Sequence, residues 1–218
     1  MKILVGLVVL GLVALMFHLL MHWIFRSAAR REKEQRLNAI MPDYEIFEYH
    51  EIDIRATPEK VYEATVQLNW GNSKVTRALL MLRGIFQPKT SAKPNYDEVT
   101  TIGLLGDYGF SLLENADNQE VVLGLVGKFW SLNPIMVQLS STEDFINYRE
   151  PGHCKTAFNF LIEEKEDGMV SLSTETRVAS FGSTAKTLFR FYWFVIGPYS
   201  AWIRVELLRM IKEQAETG

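Results

Sequence analysis

The chain opens with an unbroken apolar run and then changes to short alternations. Ile3 to Phe25 is 23 residues without a charged side chain. As a helix rising about 1.5 Å per residue, that run is roughly 35 Å long. It can cross the ~30 Å hydrocarbon core of a bilayer with some tilt. It exceeds the roughly 7–15 apolar residues of a signal-peptide core, so it reads as an uncleaved anchor. Only Lys2 precedes it, whereas Arg26, Arg30, Arg31, Lys33 and Arg36 follow. That bias predicts a single-pass cell-membrane protein whose large domain faces the cytoplasm. Residues 26–41 are expected to form a charged helical stalk. Arg30–Glu34 and Glu32–Arg36 are spaced i,i+4 along it, Leu37, Ile40 and Met41 make a small apolar patch, and Pro42 ends it.

Beyond Pro42 the period alternates between two and three to four. Asp43–Ala56 reads as a strand, with His50, Ile52 and Ile54 alternating against Glu51, Asp53 and Arg55. Thr57-Pro58-Glu59 starts a helix to about Leu68, with a capping hydroxyl, a proline at the first position and then an acid. Asn72-Ser73 begins a second helix over 74–83, closed by Gly84. A loop spans 87–95, and Asp97 caps a short helix near 98–105. Strands follow at 110–114 and 120–129, with another at 135–139. Ser141 and Asp144 resemble a capping box for a helix at 142–148. Cys154–Glu164 and Met169–Ser180 are long strands joined at Asp167-Gly168. Ser183 caps a final helix from Thr184 to about Glu216.

Strands clustered apart from helices give an α+β class. The last helix is the element long enough to cover an apolar sheet face. Its uncharged stretch, Phe191 to Ile203, is 13 residues and holds Gly197-Pro198, too short for a second span. Pro198 predicts a bend. The divisions expected are a transmembrane anchor at 1–25, a stalk at 26–42 and one domain at 43–218.

Composition adjusts this picture in three places. The mean hydropathy of +0.00 averages unlike parts, since 20 of the first 25 residues are apolar. With 26 acidic against 23 basic residues the net charge is −3, which lacks the basic excess of a nucleic-acid binder. The lone Cys154 excludes an internal disulfide.

Candidate chemistry is sparse. The sequence has no phosphate loop, nucleophile elbow, zincin motif or zinc-spaced Cys/His cluster. His18 and His22 share a helix face and could bind a metal or haem, but no further ligand accompanies them. His50 and His153 are the remaining candidate bases, and Cys154 reads as a buried small hydrophobe. Glu175 and Arg177 share one face of a strand with Ser171 and Ser173, opposite Leu172, Thr174, Thr176 and Val178. Outward, the pair would be a solvated contact. Inward, it would be a costly buried ion pair, able to fix the strand or orient a ligand's polar head. Trp130, Phe158, Phe160, Tyr192, Trp193, Tyr199 and Trp202 supply an aromatic stock that suits either a core or a pocket lining.

Several strings carry a family resemblance: Ile52-Asp53-Ile54-Arg55-Ala56-Thr57-Pro58-Glu59-Lys60-Val61-Tyr62, Gly124-Leu125-Val126-Gly127-Lys128-Phe129-Trp130, Ser173-Thr174-Glu175-Thr176-Arg177-Val178, and Tyr192-Trp193 through Pro198 to Ile203-Arg204. Over about residues 44–216 the chain resembles the START-like, or SRPBCC, superfamily of lipid-transfer domains and polyketide cyclases. The resemblance implies a helix-grip fold, a curved antiparallel sheet wrapped around a long C-terminal helix, with a hydrophobic pocket between them. The function expected is a membrane-tethered module that binds a hydrophobic small molecule or lipid. Trp130, Phe158, Phe160, Glu175, Arg177, Tyr192, Trp193 and Tyr199 are the expected ligand-binding residues. No catalytic residue, metal or cofactor is expected, and the partners are the bilayer, through residues 3–25, and the ligand. The alternatives are a cyclase- or hydratase-type enzyme using Glu175, Tyr192 and His50, and a structural adaptor with its cavity filled.

Overall fold

In the computed structural model the elements run α1 (Lys2–Ile24), α2 (Leu37–Ile40), β1 (Ile46–Ile54), α3 (Pro58–Gln67), β2 (Ser111–Ala116), β3 (Glu120–Gly127), α4 (Thr142–Asn147), β4 (Cys154–Glu164), β5 (Val170–Ser180) and α5 (Ser183–Thr217). The structure describes residues 2–25, 33–68, 106, 109–131 and 134–217, with the side chains of α1 from Gly11 onward. The helices expected at 74–83 and 98–105 and the loop at 87–95 lie outside the described residues.

The strands form one antiparallel sheet in the order β1-β5-β4-β3-β2. The two hairpins close where local chemistry allows a left-handed backbone: Gly168 at φ 76° between β4 and β5, and Asn118 at φ 61° between β2 and β3. β1 crosses the molecule to pair with the last strand, Ile46 opposite Val178 and Ile54 opposite Val170. The result is the α+β class read from the sequence, a five-stranded sheet with a long C-terminal helix.

Both faces of the sheet are covered. On the inner face, Ile54, Leu123, Phe158, Phe160 and Leu172 pack against Val61 and Ala64 of α3 and against Leu207, Leu208 and Ile211 of α5. On the outer face, Val122, Val126, Ala157 and Ala179 pack against Leu37, Ile40, Met41 and Phe145 of α4. β3 is consequently buried at every position. At Gly124 of β3 a Cβ would lie 2.8 Å from the Phe145 ring.

Three local expectations are corrected. The described part of the 26–41 segment is not a charged helix. Lys33–Gln35 are irregular and only Leu37–Ile40 is helical, because burying Leu37 and Met41, which have no exposed area, holds the chain against the sheet. Arg36 pairs with Glu114 at 3.5 Å; Arg30 and Glu32 lie outside the described residues. The strand expected at 135–139 is a single bridge, Met136 to Gly127. Thr57 precedes α3 in extended conformation without a side-chain cap bond. Half of the capping box at α4 forms: Ser141 Oγ accepts from the Asp144 amide at 3.1 Å, whereas the Asp144 carboxylate accepts at 3.1 Å from the Ser140 amide, one residue before the cap.

α5 runs 35 residues, through Pro198. α1 lies against its middle. His22 Nε2 donates to the Phe194 carbonyl at 3.0 Å, and the Phe25 ring stacks on Trp202 at 5.5 Å. Among the described residues no helix is long and apolar enough to cross a membrane.

Candidate ligand-binding site

The inner-face core is in two pieces. One, under α3, holds the phenylalanines of β4. The other, at the start of α5, holds Cys154, Val178, Ala185 and Phe189. Between them β4 and β5 present Thr156 and Thr176, side chains too short to reach the helix. The gap is a cavity of about 240 Å³. Its sheet wall is Leu125, Thr156, Thr176 and Val178. Its helix wall comes from Phe189, Tyr192, Trp193, Ile196, Tyr199, Ser200 and Ile203, and Phe110 and Phe129 complete the lining. Apolar walls with a few convergent polar groups are the usual composition of a small-molecule site.

The polar groups include the hydroxyls of Tyr192, Tyr199 and Ser200 on the helix wall, Arg204 and the two threonines. Arg204 lines the cavity with its guanidinium carbon 4.3 Å from the centre of the Phe158 ring. Its Nη1 donates to Thr174 Oγ1 at 3.2 Å, and its Nε lies 3.8 Å from Glu48 Oε1. Glu48 sits two residues from His50 on the same face of β1, and His50 Nε2 is 3.3 Å from Glu48 Oε1, off the line of a hydrogen bond. The buried Glu48 and the half-buried Arg204 face each other as an ion pair, which supplies directed polarity without a large net charge. Thr156 donates to the Arg177 carbonyl at 3.0 Å. Thr176, 3% exposed, has no hydrogen-bond partner for its hydroxyl among the described residues. A buried hydroxyl without a partner costs about 1–3 kcal/mol, so this wall is ready for a ligand's polar atom.

Of the residues chosen from sequence, Tyr192, Trp193 and Tyr199 line the cavity. Trp130 stands behind the wall, its ring 6.1 Å from Phe189. Phe158 lies under Arg204. Phe160 is in the core beneath α3, not in the cavity. Glu175 and Arg177 are also corrected: strand alternation puts them on the outer face, opposite Thr176. There Arg177 donates to Glu175 at 2.7 Å, to the carbonyls of Leu37 at 3.2 Å and Met41 at 2.8 Å, and to Asn38 at 2.6 Å. Sequence reasoning missed Arg204 and Thr176. Arg204 left one signal, a charge four residues from both Ser200 and Leu208 and thus on the apolar stripe of α5.

The outer-face groups hold the segment after α1. Glu120 accepts from the amides of Arg36 at 2.6 Å and Leu37 at 3.3 Å, capping α2 from another strand. Asn159 donates to Glu120 and to Gln35, both at 2.7 Å, and Gln35 donates to Glu175 at 2.9 Å. Lys33 reaches Glu163 at 2.5 Å and Glu51 at 3.2 Å. Burial works against its charge, but bonds to Glu163 and Tyr49 raise its pKa to about 12. This face is a structural latch.

Cys154 is fully buried. Burial raises its thiol to about 12 although it donates to Ser180 Oγ at 3.2 Å, so it is no nucleophile in the folded chain. His153 packs edge-on to Tyr148, away from the cavity lining. His18 and His22 meet edge-on with centroids 4.8 Å apart. No group of three or more metal-ligating side chains occurs among the described residues.

No protein-family model matches the chain, and no curated protein matches it. Among solved structures it is similar to the Aha1 dimer from Colwellia psychrerythraea, with 16% identity and a TM-score of 0.34 over 80% of this chain and 98% of that one. It is similar to a conserved protein from Geobacillus kaustophilus, with 13% identity and a TM-score of 0.31 over 75% of this chain and 96% of that one. A protein from Mesorhizobium loti is similar at 12% identity and a TM-score of 0.35, over 78% of this chain and 96% of that one.

Proposed function

We propose that the chain is a membrane-tethered module that binds a hydrophobic small molecule, or the apolar part of a lipid, between the sheet and α5. The observation that carries the reading is the cavity itself, largely apolar in its lining, with Arg204 and Thr176 among its polar groups. Its volume of about 240 Å³ falls just below the ~300–1,000 Å³ of most ligand pockets. It suits a small ligand or one chain segment better than a whole two-tailed lipid. The tether rests on sequence: 23 uncharged residues followed by a basic flank. That flank supports a cytoplasmic orientation of the domain. Tyr192 lines the cavity while Glu175 lies beyond the sheet, so these two do not form an acid–base pair there.

The test is mass spectrometry of apolar molecules extracted from the purified full-length chain, beside the Ser200→Phe variant. Ser200 lines the cavity from a half-buried position, so a ring there fills space without removing core. The expected result is a co-purifying apolar species in the parent chain and at least a fivefold loss in S200F at unchanged circular dichroism. No bound species, with no thermal shift across a panel of fatty acids, alcohols and isoprenoids, overturns the reading.

A further inference from the structure

We propose that the outer face of α5 around Phe191 is itself embedded in the lipid bilayer, so that the cavity opens at the membrane rather than into water. The inference rests on the tether reading above and adds a second membrane contact to it.

Four large apolar side chains are exposed within two turns of α5: Phe191 at 74%, Phe194 at 52%, Leu188 at 50% and Val195 at 41%. Single exposed hydrophobics are ordinary, but a contiguous band on one helix marks an interaction surface. Leu188, Phe191 and Val195 are spaced i, i+3 and i+7, so they share one side of the helix. Val195 belongs both to this band and to the cavity lining, which puts the band at the cavity's edge.

The occupant follows from what the band adjoins. α1 packs on α5 through its last two turns. The Phe194 ring lies 5.1 Å from His18 and 5.6 Å from His22, and Phe25 stacks on Trp202. His18 to Phe25 spans about 10 Å along a helix. If those turns lie at the bilayer boundary, the stretch of α5 they touch lies at the same depth. α1 exposes its own apolar side chains beside it, among them Leu15, Met16, Leu19 and Trp23, so the two helices form one apolar surface. Arg190, exposed next to Phe191, is placed to reach lipid headgroups by snorkelling. A water-facing surface would keep these rings hydrated, whereas a bilayer removes that cost.

The experiment is depth measurement by electron paramagnetic resonance. Nitroxides are attached to single cysteines at positions 188, 191 and 195 of the full chain, in nanodiscs of phosphatidylcholine and phosphatidylglycerol. Position 16 reports on α1, and position 112, exposed on β2, is the aqueous reference. Buried Cys154 stays unlabelled. The expected result is a position 16 label deep in lipid, labels at 191 and 195 more accessible to oxygen than to a water-soluble nickel chelate, and the reverse ratio at 112. A lipid signal at 16 with an aqueous signal at 191 and 195 overturns the embedding and leaves the tether standing. An aqueous signal at 16 overturns the tether and the embedding together.

Discussion

Lys155 shows how burial sets the chemistry of a single residue here. It lies on the outer face of β4 with 3% exposure and donates to the Phe145 and Ile146 carbonyls at 3.1 and 2.9 Å. Those carbonyls belong to α4, whose C-terminal end favours a cation. Burial nevertheless dominates, with Arg149 adding to it, and lowers the Lys155 pKa to about 8 from 10.5. The sign follows from proton counting. Between pH 8 and 10.5 the unfolded chain holds one proton that the folded chain has released. Unfolding free energy therefore rises with pH across that interval and is level with respect to this group below it. At about 1.4 kcal/mol per pH unit the rise is on the order of 3 kcal/mol. Lys155→Met has no proton to release, so the stability of the parent chain relative to K155M should climb from pH 8 to 10.5. Urea unfolding at half-unit steps measures it, and a flat difference would refute it.

At the scale of elements, the positions most sensitive to added bulk are where the chain leaves β3. Gly127 ends the strand, and a Cβ there would lie 2.2 Å from the Ile135 carbonyl oxygen. That carbonyl accepts from the Lys128 amide at 2.8 Å, and the Val137 amide donates to Val126 at 2.9 Å. The obstacle is backbone held by two hydrogen bonds. At Gly124 the obstacles are the Leu113 and Phe145 side chains, which can shift. Overpacking costs typically about 1–3 kcal/mol. Gly127→Ala should therefore lie at the upper end of that range and lower the melting temperature more than Gly124→Ala, as differential scanning calorimetry would read. Residues 135–139 meet β3 only at this point, where Met136 pairs antiparallel with Gly127.

At the scale of the molecule, the segment after α1 belongs to the packed domain. Leu37 and Met41 have no exposed area and Ile40 has 5%. Each buried side chain of this size contributes about 1.5–3 kcal/mol, against a total stability of about 5–15 kcal/mol for an ordinary domain. Arg177 and Glu120 would also lose their partners on α2. A chain beginning at Lys33 should unfold cooperatively in urea, whereas one beginning at Asp43 should lose that cooperativity. Equal unfolding midpoints for the two would refute the latch. Lys33, Gln35 and α2 are all fixed to the sheet.

What the sequence determined by itself is local. The hairpin at Asp167-Gly168, the cap at Ser141, the proline-led start of α3 and the long aromatic helix all depend on neighbouring residues, and each is where its pattern places it. The uncharged run at 3–25 is equally plain. Tertiary structure decided which side each face meets. Alternation shows that Glu175 and Arg177 share a face opposite Thr176, but it does not say which face looks at α5. That depends on β1 crossing to pair with β5, and on α2 covering the far side with carbonyls for Arg177. Phe160 and Tyr192 look alike in sequence, yet one fills the core under α3 and the other lines the cavity. The cavity exists because two short threonines on neighbouring strands face the same stretch of α5, and a gap between surfaces is a property of their packing distance, which no single stretch of chain encodes.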